Sequence, residues 1–114
     1  MDLQQLFDAG FTARCNGQYG LARTYLNAVL AKEPKHADAL WQLGLVMGFE
    51  GDFDGSLATL QAVVADHPSH VNAHYDLGMT YMMLGMDQEA VSSFRRVLSL
   101  DPTHENAQRQ LAFF

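Results

Sequence analysis

Three histidines in the middle of the chain have a spacing that could place ring nitrogens close together. His70 and His74 lie four residues apart, so on a helix they share one face, and His67 precedes them. Imidazoles arranged in this way bind zinc and other transition metals. However, His36, His70 and His104 stand 34 residues apart, so a repeated structure explains them without a metal. We therefore predict no metal site, and we assign His74 a structural role at a core position.

A second candidate for chemistry is Cys15, the single cysteine of the chain. It has no neighbouring residue in the sequence that would activate it as a nucleophile, and no glycine-rich phosphate loop is present. A single cysteine also cannot form an internal disulfide, which agrees with a reducing compartment. The sequence therefore predicts a protein that is not an enzyme, and it indicates no cofactor.

Glycines and prolines recur along the chain with one fixed period of 34 residues. The three series are Pro34, Pro68 and Pro102; Gly10, Gly44 and Gly78; and Gly17, Gly51 and Gly85. A fixed period of this size is typical of repeat proteins, in which each unit buries its apolar face only against its neighbours. Glycines of the last series supply left-handed backbone at helix ends, and the prolines prevent a helix from continuing.

This punctuation predicts three pairs of helices and a seventh, closing helix. Their expected ranges are about Asp2 to Asn16, Tyr19 to Glu33, Ala37 to Glu50, Phe53 to Asp66, Val71 to Leu84, Asp87 to Leu100, and from Thr103 or His104 to Phe114. The closing helix should cover the apolar face that the last repeat would otherwise expose, with Ala107, Leu111 and Phe114 facing inward.

Glycines inside the first helix of each pair have a packing reason. Gly10, Gly44 and Gly78 lack a side chain where the paired helix must approach closely. Gly48 and Gly55 lie outside this series, so the middle repeat should be the softest of the three. We expect the replacement of Gly55 by alanine to stabilise the fold by roughly 0.5 to 1 kcal/mol.

The residues around these glycines carry a signature as well as a period. The middle copy has Leu43-Gly44, Gly51-Asp52-Phe53 and Pro68; the third has Leu77-Gly78, Tyr81, Gly85, Ala90, Phe94 and Pro102; the first keeps Gly10, Gly17, Tyr19, Ala22, Leu26 and Pro34. This pattern resembles the tetratricopeptide repeat, a helix-turn-helix unit. The resemblance implies an all-α fold, a right-handed α-α superhelix that forms a single domain over residues 1–114. Its repeats would span about 3–36, 37–70 and 71–104, with a closing helix at 104–114.

Each first helix carries two apolar stripes. One stripe, which includes Leu43 and Leu77, faces the paired helix and forms the core. The second stripe lies about 100° further around the helix and follows i, i+4, i+8 spacing. Its members are Phe7, Phe11 and Cys15 in the first repeat, Trp41, Leu45 and Phe49 in the second, and Tyr75, Met79 and Met83 in the third.

The resemblance implies that the second stripe lines the concave surface on which this family holds ligands. Asp8, Arg14, Gln42, Asp76 and Met82 would lie beside it, and Phe113 extends it by the same register. The alternative is that the stripe is core, packed between neighbouring first helices, and part of it must be. Because a solenoid has no further layer over its concave side, we predict that several aromatic and methionine side chains stay exposed and mark a partner site.

The side chains on this surface indicate which ligand it would hold. Members of the family that grip carboxylate tails resemble one another in a clamp of lysine, asparagine and arginine. Those places hold Phe7, Phe11, Gln42, Asn72 and Asp76 here, so the clamp is absent. The predicted function is a noncatalytic scaffold that binds an apolar peptide or amphipathic helix of another protein. The alternative is a self-assembly module, in which the same surfaces and the closing helix join two copies in a weak homodimer.

Charge and hydropathy narrow the class of partner and the compartment. The net charge of -6 argues against nucleic-acid binding, which needs a basic surface. Residues 3–36 carry four basic and two acidic side chains, whereas residues 37–70 carry five acidic side chains and no lysine or arginine. No apolar run approaches the ~20 residues that cross a membrane, and the first residues lack the basic start of a signal peptide. These features predict a cytoplasmic protein.

Overall fold

The computed structural model describes every residue from Met1 to Phe114 and contains seven α-helices and no strand. The helices are α1 (Leu3–Cys15), α2 (Tyr19–Lys32), α3 (Ala37–Phe49), α4 (Phe53–Asp66), α5 (Val71–Met83), α6 (Asp87–Leu100) and α7 (Glu105–Leu111). The predicted all-α arrangement of helix-turn-helix repeats is confirmed. The first six helices end within one residue of their predicted limits, and α7 is shorter than expected because it stops at Leu111.

The turn inside each helix pair is made by a left-handed glycine. Gly17, Gly51 and Gly85 have φ of 74°, 86° and 72°, which residues with a side chain rarely adopt. At the first of these turns Gly17 N–H donates to the Arg14 carbonyl at 3.0 Å, and Gln18 N–H donates to the Ala13 carbonyl at 2.8 Å. This pair of bonds is the Schellman motif, and the other two turns repeat it. The predicted role of these glycines is therefore confirmed.

The start of each first helix is capped by a side chain. Asp2 accepts a hydrogen bond from Gln5 N–H, and the Gln5 side chain in return accepts from Asp2 N–H, which completes a capping box. One period further along, histidine takes this place: His36 caps α3 and His70 caps α5. His104 caps α7 in the same way. Repeat register therefore explains these three histidines, as predicted.

The chain divides into two compact units, and the boundary falls within α4. Unit 1 covers Met1–Thr59 and unit 2 covers Leu60–Phe114. Each unit contains one complete helix pair, α1 with α2 or α5 with α6, and its own cluster of buried apolar side chains.

The core of unit 1 forms where α2 approaches α1 and α3. Its buried members are Ala13, Ala22, Leu26, Val29, Ala39, Leu43 and Val46. Gly10 lies against α2, and a Cβ at this position would lie only 2.9 Å from Cγ of Leu26. The predicted close approach at Gly10 is confirmed, because a side chain there would enter the space of a core residue.

The core of unit 2 forms where α6 packs on α5 and α7. Its buried cluster consists of Ala90, Phe94, Val97 and Ala107. A Cβ at Gly78 would lie 2.7 Å from the ring of Phe94, so this second close approach is also confirmed. The closing helix docks on α6 of its own chain through Ala107 and Leu111. Phe114 was expected to face inward, but it follows the end of α7 and is exposed.

Candidate partner-binding surfaces

The second stripe of unit 1 is half-buried at its start and exposed at its end. Phe7, Trp41 and Leu45 are half-buried, and Phe7 packs against the core of the unit. Phe11 is 41% exposed and Phe49 is 58% exposed, which is unusual for phenylalanine. We call these five residues the unit-1 patch. The stripe is thus partly core, as the alternative interpretation required, and partly surface.

The exposed rings of the unit-1 patch are held by other rings. Phe7 stacks on Phe11 with 6.5 Å between ring centroids, and Tyr19 stacks on Phe49 at 5.8 Å with only 8° between the ring planes. Tyr19 begins α2, and sequence reasoning did not include it in the site. The available signal was its position in the repeat. Tyr19 comes two residues after Gly17, and Phe53, which is also aromatic, comes two residues after Gly51. These stacks fix aromatic side chains that remain accessible to a partner.

Arg14 brings one positive charge to the unit-1 patch. Its guanidinium carbon lies 5.3 Å from the centroid of the Phe11 ring, a cation–π distance. Its Nε donates to Oε1 of Gln42, and its Nη2 lies 3.5 Å from Sγ of the exposed Cys15. Arg14 therefore has a defined position beside the exposed rings.

Gln42 corrects one of the predicted site residues. The prediction placed it on the ligand surface, but its side chain is completely buried and accepts the hydrogen bond from Arg14. Its Nε2 has no hydrogen-bond partner. Gln42 lies beside Leu43 on the buried face of α3, and its amide oxygen accepts the hydrogen bond from Arg14 there.

The second stripe of unit 2 has the same gradient but different chemistry. Tyr75, Met79 and Met82 are half-buried and pack against the core of unit 2, whereas Met83 is 64% exposed. We call these four residues the unit-2 patch. The Tyr75 ring is fixed between Phe94, at 5.7 Å between centroids, and His104, at 5.2 Å. Asp76 is half-buried beside Tyr75 in the sequence, and Phe113, beyond the end of α7, is 75% exposed.

His74 has the structural role that the sequence predicted. Its Nε2 lies 2.7 Å from the Pro68 carbonyl oxygen, which can only accept, so Nε2 carries the proton of the neutral ring. Burial lowers the pKa of His74, and the hydrogen bond to Pro68 raises it. The positive charge of Arg96 and the neighbouring His70 add to the lowering. No group of three or more histidine, cysteine, aspartate or glutamate side chains is placed to hold a metal ion.

Sequence reasoning missed the most deeply buried stripe of the first helices. Ala39 and Val46 in α3 and Ala73 in α5 are fully buried. The signal was present, because alanines 39 and 73 stand in the 34-residue period with Ala107, which was expected to face inward. Alanine is apolar but small, so it contributes little to a hydropathy stripe.

The opposite charges of the first two repeats meet within unit 1. Arg23 of α2 pairs with Glu50 at the end of α3, with 2.6 Å between Nη2 and Oε1. Both side chains are about one-third exposed, so solvent screening keeps the contribution of this pair to stability small.

The structure also contains no helix with the length and apolar character that a membrane span requires.

Fold and repeat signature together define the class of protein. A family model for the tetratricopeptide repeat matches residues 8–46 and 49–105, which is most of the chain. The chain belongs to the tetratricopeptide repeat family. No curated protein sequence matches it.

Solved structures show the same fold in proteins of different function. The first tetratricopeptide domain of Spaghetti (RPAP3), bound to the HSP90 peptide SRMEEVD, is similar with a TM-score of 0.92 at 20% identity, over 96% of this chain and 89% of that one. MamA is similar with a TM-score of 0.89 at 20% identity, over 98% of this chain. The O-GlcNAc transferase of Thermobaculum terrenum is similar with a TM-score of 0.90 at 26% identity, over 96% of this chain. The chain spans 66% of the MamA chain and 21% of the transferase.

Proposed function

We propose that this chain is a noncatalytic scaffold that binds an apolar peptide or an amphipathic helix of another protein, without a cofactor. The observation that carries the proposal is the Phe49 ring, which is 58% exposed yet held in a parallel stack on Tyr19. An apolar side chain of a partner that covers this ring gains free energy from the removal of both surfaces from water. Because the ring is already fixed, little conformational entropy is lost on binding.

The two patches differ in the apolar side chains that each would suit. The unit-1 patch offers stacked rings, and these favour a flat aromatic or a branched aliphatic side chain. The unit-2 patch offers Met79, Met82 and Met83, whose flexible thioethers adapt to side chains of several shapes. Unit 1 would therefore select its apolar ligands more strictly, and unit 2 would tolerate more variation.

Charge argues for an apolar rather than an acidic ligand. The peptide bound by the RPAP3 domain, SRMEEVD, carries three acidic residues. Here Phe7 and Phe11 occupy the positions where a carboxylate would need a cation, and unit 2 places Asp76 beside Tyr75. Arg14 lies over the ring of Phe11, so its charge is already engaged within the unit-1 patch. An acidic tail would lose hydration at both patches without a matching cluster of positive charges.

Selection of peptides from a random displayed library tests the proposal directly. Selected peptides should be rich in phenylalanine, leucine, isoleucine and tryptophan. Their affinity should fall about tenfold or more with Phe49→Ala or Met83→Ala, because each removes an exposed contact. Leu21→Ala is the matched control, since Leu21 is also exposed but lies on α2 outside both patches. Peptides whose binding is unchanged by Phe49→Ala and Met83→Ala would contradict the proposal.

A second candidate function is self-assembly, and the end of the chain favours it. Phe113 and Phe114 follow the end of α7 and are both exposed, so two aromatic rings are available to a second copy. Sedimentation over a wide range of concentration should then show a weak dimer that is absent from a chain ending at Gln110. A monomer at every concentration, or a dimer that survives this truncation, would remove the two phenylalanines from any role in assembly.

A further inference from the structure

Three helices begin with the same hydrogen bond, which is made by an imidazole ring. Nδ1 of His36 accepts from Ala39 N–H at 3.0 Å, and Nδ1 of His70 accepts from Ala73 N–H at 3.0 Å. Nδ1 of His104 accepts from Ala107 N–H at 3.1 Å. A ring nitrogen that accepts a hydrogen bond carries no proton, so each cap requires the neutral tautomer with its proton on Nε2.

A proton on the ring removes such a cap, whereas a cap made by asparagine has no group that titrates. An imidazole ring ordinarily gains a proton as the pH falls through about 6.5, and the protonated ring is a donor at both nitrogens. Its Nδ1–H would then face the N–H group that it had accepted from. The positive ring would also lie at the positive end of the helix dipole. A protonated ring therefore cannot make this cap.

Charged residues lie close to two of these rings in the sequence. In the sequence, Lys35 and Asp38 flank His36, whereas Asp101 and Glu105 flank His104. The rings that pack on the caps are neutral, with Phe7 of α1 on His36 at 5.6 Å. Tyr75 of α5 packs on His104 at 5.2 Å.

The charged groups near His70 act on His74, which lies one turn further along α5. Besides burial, Arg96 of α6 and His70 itself both lower the pKa of His74.

We propose that His36, His70 and His104 act together as an acid-sensitive latch at the starts of α3, α5 and α7. At neutral pH the caps hold the helix starts, and the rings of His36 and His104 support Phe7 and Tyr75 of the two patches. A proton on the ring removes the cap and loosens these two aromatic rings. The effect on partner binding rests on the proposed function, whereas the effect on stability does not.

The sign of the pH dependence follows from proton linkage. The cap stabilises the folded chain only while the ring is neutral, so its contribution to stability is lost once the ring gains a proton. His74, whose pKa is lowered, acts in the same direction.

Thermal unfolding of the whole chain followed by circular dichroism tests the latch. Between about pH 7.5 and about pH 5 the melting temperature of the wild type should fall by about 10 °C more than that of the His36→Asn, His70→Asn, His104→Asn variant. Asparagine caps helices without titrating, so this variant should fold normally at neutral pH. His67→Asn is the matched control, because His67 is exposed and caps no helix. It should leave the fall unchanged.

Two outcomes would overturn the latch. One is an equal fall in melting temperature for the wild type and the triple variant. The other, which needs no variant, is a nitrogen NMR spectrum that places the proton of the neutral rings of His36, His70 and His104 on Nδ1. If peptide binding is lost at low pH while the melting temperature stays unchanged, the latch alone is contradicted. If the melting temperature falls as expected but no peptide binds at any pH, the proposed function alone is contradicted.

Discussion

The helix pairs of units 1 and 2 use the same repeat positions with different degrees of rigidity. In unit 1, Gly10 faces the branched but movable side chain of Leu26, and the surface patch is made of stacked rings. In unit 2, Gly78 faces the flat ring of Phe94, and the surface patch is mostly methionine. Unit 1 therefore combines a more adaptable core with a fixed surface, whereas unit 2 combines a rigid core with an adaptable surface. The repeat keeps the register of its helices and leaves packing free to vary.

The largest expected change in stability separates the core residues from the patch residues, a division that both units share. Leu43 and Leu77 occupy equivalent positions and are both buried, so Leu43→Ala and Leu77→Ala should each lower the free energy of unfolding by about 3 kcal/mol. Phe49→Ala and Met83→Ala, at exposed positions, should each lower it by about 0.5 kcal/mol or less. Urea unfolding measures all four changes. If Phe49→Ala costs as much as Leu43→Ala, the unit-1 patch is core and cannot serve as a docking surface.

The next effect sharpens the difference between the two cores. A Cβ at Gly78 would enter the Phe94 ring, which is fully buried and cannot bend away. At Gly10 the same atom would meet Leu26, whose side chain can change rotamer. We expect Gly78→Ala to destabilise by about 3 kcal/mol and Gly10→Ala by about 1 kcal/mol.

A second substitution shows whether the ring causes this difference. Introducing Phe94→Leu together with Gly78→Ala gives unit 2 a pair similar to that of unit 1. The double variant should then lose less stability than the sum of its two single variants, because leucine can yield where phenylalanine cannot. Additive losses, or equal losses for Gly10→Ala and Gly78→Ala, would remove the ring as the reason.

The sequence predicted features that depend on period and failed at features that depend on a specific polar contact. Helix limits and the close approaches of Gly10 and Gly78 follow from spacing and local backbone rules. Gln42 was misplaced because the resemblance put its position on the ligand surface, whereas its hydrogen-bond partner, Arg14, lies 28 residues away in the sequence. The histidine positions were explained by register, but register alone could not show that Nδ1 accepts the capping hydrogen bond.

At the starts of the second helices, a polar contact that the sequence pattern did not reveal again decides the outcome. This contact corrects the expectation for Gly55. No side chain caps α2 at Gln18 or α6 at Met86. In contrast, Oδ1 of Asp52 accepts from Gly55 N–H at 2.9 Å at the start of α4. A Cβ at Gly55 would lie only 2.7 Å from Cγ of Asp52. The glycine therefore leaves room for the capping carboxylate, so the expected gain from alanine does not follow.

The smallest expected effect decides between helix propensity and capping at this position. Gly55→Ala should destabilise the chain by about 0.5 kcal/mol, because the lost cap outweighs the higher helix propensity of alanine. In an Asp52→Ala background, where no cap remains, the same substitution should instead stabilise by about 1 kcal/mol. Gly48→Ala is the matched control, since a Cβ there would lie 3.5 Å from Oγ of Ser56, an ordinary contact, and it should stabilise in both backgrounds. If Gly55→Ala has the same sign with and without Asp52, the carboxylate is not the reason for the glycine.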